Sequence, residues 1–214
     1  TMSLGLRTAI FATLPVAVGM IALAAPLVRL MFERGVFTRE ATEAVAAAVA
    51  AYAVGLPAIS AYYILTRVYY ALHDMKTPVK VGASMVALNA VANLVLMRVL
   101  GHTGIALATS LVAITNVGIL LWRLHRRLGN VDGPRIGRAT LGFAVPALAA
   151  GLAIAGVGSL AGKVVDLHRL SGQALQVGAA ISGGAAVYLA LCRALGVEEL
   201  RTAVGLLRPS RLKE

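Results

Sequence analysis

Two asparagines, Asn89 and Asn93, lie four residues apart within a long apolar stretch of the sequence. If that stretch is helical, this spacing places both amides on one face. Neutral oxygens inside an apolar layer serve one of two purposes: they hydrogen-bond a neighbouring helix, or they coordinate a cation. The next apolar stretch would bring further neutral oxygens to a similar depth, from Thr109, Ser110, Thr115 and Asn116. A cation site would also want a carboxylate, and the sequence supplies none nearby.

Arg67 is the one basic residue that falls inside a predicted apolar span rather than at its end. An arginine at the centre of a membrane helix costs about 2.5–3.5 kcal/mol on insertion scales. Its side chain therefore either extends to the headgroups or faces a water-filled cavity, where it would attract a phosphate-bearing substrate. Four tyrosines flank it, and an interfacial aromatic belt accounts for at least the last two: Tyr62, Tyr63, Tyr69 and Tyr70.

Residue patterns of hydrolytic, redox and metal chemistry are missing from the sequence. The four histidines lie near predicted span ends without partners at metal-binding spacing, and the single cysteine excludes an internal disulfide framework: His73, His102, His125, His168 and Cys192. The glycine-rich turn at 101–104 lacks the lysine of a phosphate-binding loop. We therefore expect a protein that is not an enzyme and needs no cofactor.

The elements that position these residues follow from composition. The 214 residues are 59% hydrophobic and 14% charged, with a mean hydropathy of +0.82. Soluble domains are roughly 45–50% apolar and about 25% charged. Aromatic residues, at 5%, are too few for the girdles of a β-barrel. The net charge of +11 sits in short clusters between apolar runs, without the aromatic interleaving of a nucleic-acid surface, so we expect no nucleic-acid partner.

Six stretches are long enough to cross a bilayer as helices, which takes about 20 residues each. They run roughly over 8–32, 43–72, 79–100, 103–124, 138–160 and 172–195. Backbone groups in lipid must be satisfied internally, and the period-two polarity of strands is missing, so helices remain. Prolines inside three of these spans predict bent helices. The sequence thus predicts an all-α integral membrane protein with six transmembrane helices.

The basic residues predict an orientation. One set of span ends carries thirteen of them: Arg7, Lys76, Lys80, Arg123, Arg126, Arg127, Arg135, Arg138, Arg193, Arg201, Arg208, Arg211 and Lys213. The opposite set carries six: Arg29, Arg34, Arg39, Arg98, Lys163 and Arg169. The positive-inside rule therefore places both termini in the cytoplasm, where the basic clusters would meet anionic membrane lipids.

The domain organisation follows the same pattern. Four helices occupy 1–127, a basic cytoplasmic linker with glycines and a proline occupies 128–137, and two further helices occupy 138–195. The tail at 196–214 has apolar residues at helical spacing among basic ones, which is typical of an amphipathic helix on the inner membrane surface, or of a solubilising tail. The chain opens on Thr1 rather than on a methionine, and we interpret it as a portion of a longer protein.

Several blocks, read in order, resemble the MurJ/MviN family. They are SLGLR at 3–7, LMFERGVFT at 30–38 after the Leu14-Pro15 pair, RVYYALHDMKTPV at 67–79, and GIALATS at 104–110 leading to Asn116. The resemblance covers roughly 3–127, and 138–195 fit as two more hydrophobic helices. It implies a fourteen-helix lipid II flippase of the superfamily that includes MATE drug exporters and polysaccharide flippases. This chain would hold helices nine to fourteen, with the first eight absent.

The resemblance implies a function and a place. Such proteins move an undecaprenyl-pyrophosphate-linked peptidoglycan precursor across the bacterial inner membrane by alternating access between two lobes. The arginines that grip the pyrophosphate in the family lie mostly on the first, second and eighth helices, so Arg67 is a cavity candidate from its position alone.

Two further sites are implied by the resemblance. A cation held by some relatives would fall at Asn89, Asn93, Ile105 (through its carbonyl) and Thr109, with Asn93 where an acidic ligand is expected. The last two helices would form a groove for the prenyl tail, and the small residues Gly151, Gly178 and Ser182 are its candidates.

Two alternatives remain open at this point. One is a polysaccharide or multidrug exporter of the same superfamily, against which the two helices beyond a twelve-helix core argue. The other is a membrane scaffold that docks cytoplasmic partners through its basic loop and tail. The scaffold hypothesis predicts that residues 123–214 alone would rescue depletion of a flippase homologue.

Overall fold

A computed structural model describes residues 2–33, 37–129, 133–164, 169–197 and 199–200. Its six helices are α1 (Met2–Phe32), α2 (Arg39–Ala71), α3 (Lys76–Leu100), α4 (His102–Leu128), α5 (Gly133–Val164) and α6 (Leu170–Ala194). All six are long and apolar enough to cross a membrane. The predicted six-helix, all-α class is thereby confirmed.

The helix ends differ from the prediction at the beginning of α1, which starts at Met2 rather than near residue 8, and between α4 and α5. The predicted linker covered 128–137, yet α5 begins at Gly133. Pro134 does not prevent this, because the amide of a residue in the first turn has no intrahelical acceptor to lose. The chain between α4 and α5 is therefore shorter than composition suggested.

The turn between α3 and α4 is a single residue, Gly101, with φ of 59° and ψ of −139°. A left-handed φ of this kind suits glycine because a Cβ would clash with the backbone. Immediately after it, Gly104 lies against the backbone of Leu96, close enough that an added Cβ would overlap the Leu96 carbonyl. The antiparallel α3–α4 pair is thus fixed by its turn.

The helices pack in a sequence that places α1 at the centre. α3 packs against α4, α4 against α2, and α2 against α1; on its other side α1 contacts both α5 and α6, which pack on each other. The main core lies among α2, α3 and α4 and includes Leu65, Tyr69, Leu120 and Leu124. A second core joins α1 to the last two helices and includes Phe11, Phe143, Ala147, Tyr188 and Cys192. The first four helices and the last pair therefore meet along α1.

α2 and α4 cross at a point of close contact. An added Cβ on Gly55 would lie 2.9 Å from the Ser110 Cα. At this crossing the Ser110 hydroxyl donates to the Ala51 carbonyl at 2.6 Å. The Ser110 hydroxyl therefore forms a hydrogen bond between helices, which is one of the two roles that the sequence left open for polar residues inside the spans.

The predicted tail lies mostly outside the described residues. Gly196, Val197, Glu199 and Leu200 are described, whereas 201–214, which hold the rest of the predicted amphipathic pattern, lie outside the described residues. Val197 and Leu200 pack against the second core.

Candidate functional site

The polar face of α3 and α4 contains two hydrogen-bonded pairs. Asn93 Nδ2 donates to Asn89 Oδ1 at 2.8 Å. The Thr109 hydroxyl donates to the Ile105 carbonyl at 3.1 Å. In the described part of the chain no hydrogen bond links one pair to the other. The structure therefore pairs the four predicted cation ligands two by two, and within these pairs the Asn89 Oδ1 and the Ile105 carbonyl oxygen each accept a hydrogen bond.

Two buried amide oxygens on this face, Asn93 Oδ1 and Asn116 Oδ1, have no hydrogen-bond donor among the described residues. Leaving a polar group unsatisfied within hydrocarbon costs several kcal/mol. Carboxylates, which would attract a cation, do not gather here: within the described residues no three His, Cys, Asp or Glu side chains cluster closely enough to hold a metal ion. This face therefore offers the neutral amide oxygens of Asn93 and Asn116 as hydrogen-bond acceptors.

Arg67 lies on α2, one turn before the helix ends at Ala71, and its side chain is exposed. Within the described ranges it has no hydrogen bond or ion pair. Tyr70 is 47% exposed, as expected of an interfacial residue, whereas Tyr69 is 1% exposed. The Tyr69 hydroxyl donates to the Leu120 carbonyl of α4 at 2.8 Å. Assigning Tyr69 to an interfacial belt was wrong, because this hydrogen bond lets the whole phenol be buried.

An apolar cleft of about 370 Å³ opens between α1, α5 and α6. Its walls include Pro15, Gly19 and Leu23 of α1, Ile154 of α5, and Gly184 and Tyr188 of α6. A groove was predicted from the last two helices alone, whereas α1 forms a third wall of this cleft. Sequence reasoning missed this wall because the small residues it followed were all on α5 and α6.

The three residues predicted to line that groove lie elsewhere on the same helices. Gly151 is buried in the contact between α5 and α1, and an added Cβ there would overlap the Val18 side chain. Gly178 and Ser182 are exposed, and Gly178 has no atom within 4 Å of an added Cβ. None of the three is among the residues that line the cleft.

Pro15, one of the two prolines inside α1, lines the cleft beside Tyr188. Pro15 has no N–H, so the Phe11 carbonyl loses the donor that position i+4 normally supplies. The Tyr188 hydroxyl of α6 donates to this carbonyl at 2.7 Å. The Phe11 ring also contacts Tyr188, at 5.5 Å between centroids, and packs edge-on against Phe143 at the same distance. One tyrosine therefore completes the hydrogen bonding of α1 and joins it to α6.

A buried ion pair lies beyond this point. The Arg7 guanidinium contacts the Glu199 carboxylate, and the two side chains are 13% and 3% exposed. Arg7 and Phe11 are one turn apart on α1, so both contacts lie on one face. The segment after α6 is thereby held against the beginning of α1.

The loop between α2 and α3 is fixed by Asp74. Its carboxylate accepts hydrogen bonds from the Thr77 amide at 3.0 Å and the Thr77 hydroxyl at 2.8 Å. It also pairs with Arg127 of α4 at 2.5 Å. The hydrogen bonds from Thr77 hold the pKa of the Asp74 carboxyl below its usual value, and the Arg127 guanidinium lowers it further.

Comparison with known proteins gives consistent results. The family model described as Lipid II flippase MurJ matches residues 1–171. A probable lipid II flippase MurJ from Rickettsia prowazekii is 42% identical over 115 residues, covering 54% of this chain and 23% of that protein. Its counterpart from Vibrio cholerae is 32% identical over 202 residues, covering 92% and 37%.

Among solved structures, lipid II flippase MurJ in an inward closed conformation superposes with a TM-score of 0.69 at 25% identity. The match covers 96% of this chain and 39% of that one. This chain therefore spans well under half the length of the relatives it matches. With a family model matching most of its residues, the chain belongs to the MurJ lipid II flippase family.

Proposed function

We propose that this chain provides six helices of a lipid II flippase, which moves a lipid-linked peptidoglycan precursor across the bacterial inner membrane. The observation that carries the proposal is family membership, with a match that covers 96% of the chain on a MurJ structure. It favours this function over a polysaccharide or multidrug exporter and over a scaffold. The role is transport by alternating access, without a bond-making step or a cofactor.

The polar face of α3 and α4 is where we expect the remaining helices of the protein to pack. The buried residues of α3 are Pro78, Val81 and Met85, all in its first half. Its second half carries exposed apolar residues beside the unsatisfied Asn93 amide oxygen. Helices from the rest of the protein would cover this surface and supply hydrogen-bond donors to Asn93 and Asn116. On this proposal the cluster is a contact between helices, and cation binding through Asn89, Asn93, Ile105 and Thr109 stays a secondary hypothesis.

The substrate would meet this chain at two chemically different points. Arg67 is exposed and free of intramolecular partners in the described ranges, so its guanidinium can form paired hydrogen bonds with a pyrophosphate. The cleft between α1, α5 and α6 is lined by aliphatic side chains and would take part of the prenyl tail. Hydrocarbon surrounds the tail in either location, so packing against the cleft walls, rather than water exclusion, would retain it.

Orientation follows from the charge distribution. We propose that the end where α1 begins and α6 ends faces the cytoplasm, because thirteen of the twenty basic residues lie on that side. Anionic lipids of the inner leaflet would be its boundary partners.

A chimera tests the transport function. Residues 1–214 would replace helices nine to fourteen of the Vibrio cholerae relative, and cells would be depleted of their own flippase. We expect growth, and lipid II that is accessible to a lipid II-degrading enzyme added outside the inner membrane. A chimera that inserts stably but leaves lipid II inaccessible would contradict the proposal, as would rescue by residues 123–214 alone.

Photocrosslinking tests the tail site. A photoreactive residue at Ile181, in the cleft, is compared with one at Gly178, which is exposed on the same helix. We expect stronger labelling of a prenyl-chain probe from Ile181. Stronger labelling from Gly178 and Ser182 would instead place the tail on the surface that the sequence indicated, and equal labelling at all three would remove the tail site.

A further inference from the structure

The end of the bundle where α3 begins and α4 ends carries an excess of positive charge that the described residues do not neutralise. Five basic residues lie in the first two turns of α3 and the last two of α4: Lys76, Lys80, Arg123, Arg126 and Arg127. The contact between Asp74 and Arg127 at 2.5 Å brings the two helix ends together. Within the described part of the chain, Asp74 is the one carboxylate that pairs with any of them.

Asp74 has little capacity left for the other four cations. Its two oxygens already accept from the amide and the hydroxyl of Thr77, as well as from Arg127. The opposite end of the bundle differs, since two of its arginines have carboxylates of their own. Arg29 pairs with Glu33 at 3.3 Å, and Arg39 pairs with Glu43 at 3.2 Å. The unneutralised charge therefore marks one end of α3 and α4.

Arg126 is held in a defined geometry. Its guanidinium carbon lies 4.0 Å from the centroid of the Trp122 ring, which is itself 52% exposed. Stacking uses the flat face of the guanidinium and leaves the N–H groups on its edge free to bind a phosphate with two hydrogen bonds. Tryptophan prefers the level of the lipid headgroups, which is also the level of the phosphates. The stack therefore presents a phosphate-binding group at phosphate depth.

The C-terminal end of a helix repels anions, because its free carbonyls together carry about half a negative elementary charge. At α4 this effect is outweighed by Arg123 and Arg126 on its last turns and by Lys76 and Lys80 on the neighbouring helix. A nucleic acid is a poor fit, since the segments that carry these basic residues, 76–80 and 122–127, contain no aromatic ring of Phe, Tyr or Trp besides Trp122.

We propose that the Trp122–Arg126 stack, with Arg123, Lys76 and Lys80, forms a binding site for the phosphate of an anionic phospholipid. The site rests on the proposed membrane placement of the chain but not on lipid II transport. The lipid would bind where α3 begins and α4 ends, its headgroup against the two arginines and its acyl chains along the apolar surface above them.

Fluorescence of Trp122 tests the site directly, because no other tryptophan contributes to the signal. The purified chain is reconstituted in vesicles that contain brominated phosphatidylglycerol or brominated phosphatidylcholine at equal mole fractions. Bromine quenches tryptophan on contact, so quenching reports which lipid lies against the ring. We expect phosphatidylglycerol to quench more strongly, and each substitution, Arg123→Gln or Arg126→Gln, to lower the relative affinity for it about fivefold.

Matched controls separate this site from general charge attraction. Arg193→Gln removes an exposed arginine from the last turn of α6, on the same predicted side of the membrane, and should leave the preference unchanged. Because Arg123 and Arg126 are exposed, helical circular dichroism should not change in their variants. Inorganic phosphate added at constant ionic strength should not displace the lipid.

Three results would overturn the proposal. Equal quenching by the two lipids would show that the stack does not distinguish anionic headgroups. A preference that survives the Arg123→Gln, Arg126→Gln double variant would assign it to other residues. Displacement by inorganic phosphate would indicate a site for a soluble anion. None of these outcomes bears on lipid II export by the chimera, so the two proposals fail separately.

Discussion

The first four helices and the last two use glycine differently. In α1–α4, an added Cβ at Gly55 would meet the Ser110 backbone and one at Gly104 would meet the Leu96 carbonyl. In the terminal pair, the nearest atoms to an added Cβ at Gly151 and Gly184 are side-chain atoms of Val18 and Ile154. A side chain can change rotamer, whereas a backbone moves only with its helix. The contacts that Gly55 and Gly104 make within the four-helix part are therefore less adjustable than the contact of Gly151 with α1 or of Gly184 with α5.

Hydrogen bonds between helices follow the same division. α2 and α4 are joined at two levels, by Ser110 to Ala51 and by Tyr69 to Leu120. The terminal pair is joined within itself by Gln176 Nε2, which donates to the Gly158 carbonyl at 2.8 Å. Its hydrogen bond to α1 comes from Tyr188. The cleft lies where α1 meets this pair. Walls that can adjust at this position would suit a site for a lipid tail.

The largest expected effect breaks the glycine comparison. Gly104→Ala forces the α3 backbone to move and should destabilise the chain by about 1–3 kcal/mol, near the upper end of that range. Gly184→Ala should cost less, because Ile154 can yield in part. Both are measured by thermal unfolding in detergent, followed by helical circular dichroism.

Two glycines with open space around them serve as controls on the same helices. Gly118→Ala on α4 and Gly178→Ala on α6 add a methyl group with no atom within 4 Å. Both should be neutral or slightly stabilising, because alanine favours helix by up to about 1 kcal/mol. A loss at Gly184 as large as that at Gly104 would remove the distinction between the two regions.

The next effect sharpens the hydrogen-bond comparison. Tyr188→Phe leaves the Phe11 carbonyl, already deprived of its donor by Pro15, without a partner and should cost about 1–3 kcal/mol. Tyr69→Phe should cost only about 0.5–1.5 kcal/mol, because the amide of Leu124 remains in position to donate to the Leu120 carbonyl.

A double-mutant cycle isolates the cause. Pro15→Ala restores an amide that can donate to the Phe11 carbonyl, so the cost of Tyr188→Phe should shrink in that background. If Tyr188→Phe costs as much in the Pro15→Ala background as in the parent, the cost comes from lost packing rather than from the unpaired Phe11 carbonyl. Tyr63→Phe, at a 63% exposed residue, is the control.

The smallest effect depends on pH and concerns the loop of the four-helix part. The pKa of the Asp74 carboxyl is lowered in the folded chain, so its ionised form stabilises the fold. That contribution is fully present above the unfolded pKa, near 3.9, and is lost as pH falls through the lower folded value. The melting temperature of the parent should exceed that of Asp74→Asn near pH 6, and the gap should close in acid.

Thr77→Val supplies the control for Asp74, because it removes the hydroxyl that helps to lower the pKa. The gap should then close at a higher pH. A gap that does not vary with pH would mean that Asp74 acts by shape alone.

Much of the fold could be predicted from the sequence because its signal is local. Each membrane span is a run of consecutive apolar residues, and the family blocks are short segments. The Asn89–Asn93 pair likewise follows from helical spacing. The roles that the resemblance gives to Ile105 and Thr109 stay predictions, as do the cytoplasmic termini.

The parts that could not be predicted connect residues far apart in sequence. Tyr188 and Phe11 are separated by 177 positions, and no local pattern links a tyrosine on the last helix to a proline on the first. The same holds for the α1 wall of the cleft. The four-residue spacing of Gly178 and Ser182 places them on one face of α6 and suggested a packing surface. Spacing alone cannot show whether that face is turned toward α1 or away from it.

The ion pair between Arg7 and Glu199 has a consequence for biosynthesis. Arg7 emerges from the ribosome 192 residues before its carboxylate, which at about 5–20 residues per second is a delay of about 10–40 s. Throughout that interval the first helix must reside in the membrane with this contact unmade, its basic end kept in water or headgroups. Only after residue 199 has left the ribosome can α1 form its contact with Glu199, and a ribosome stalled earlier should leave Arg7 more accessible to chemical labelling than it is in the folded chain.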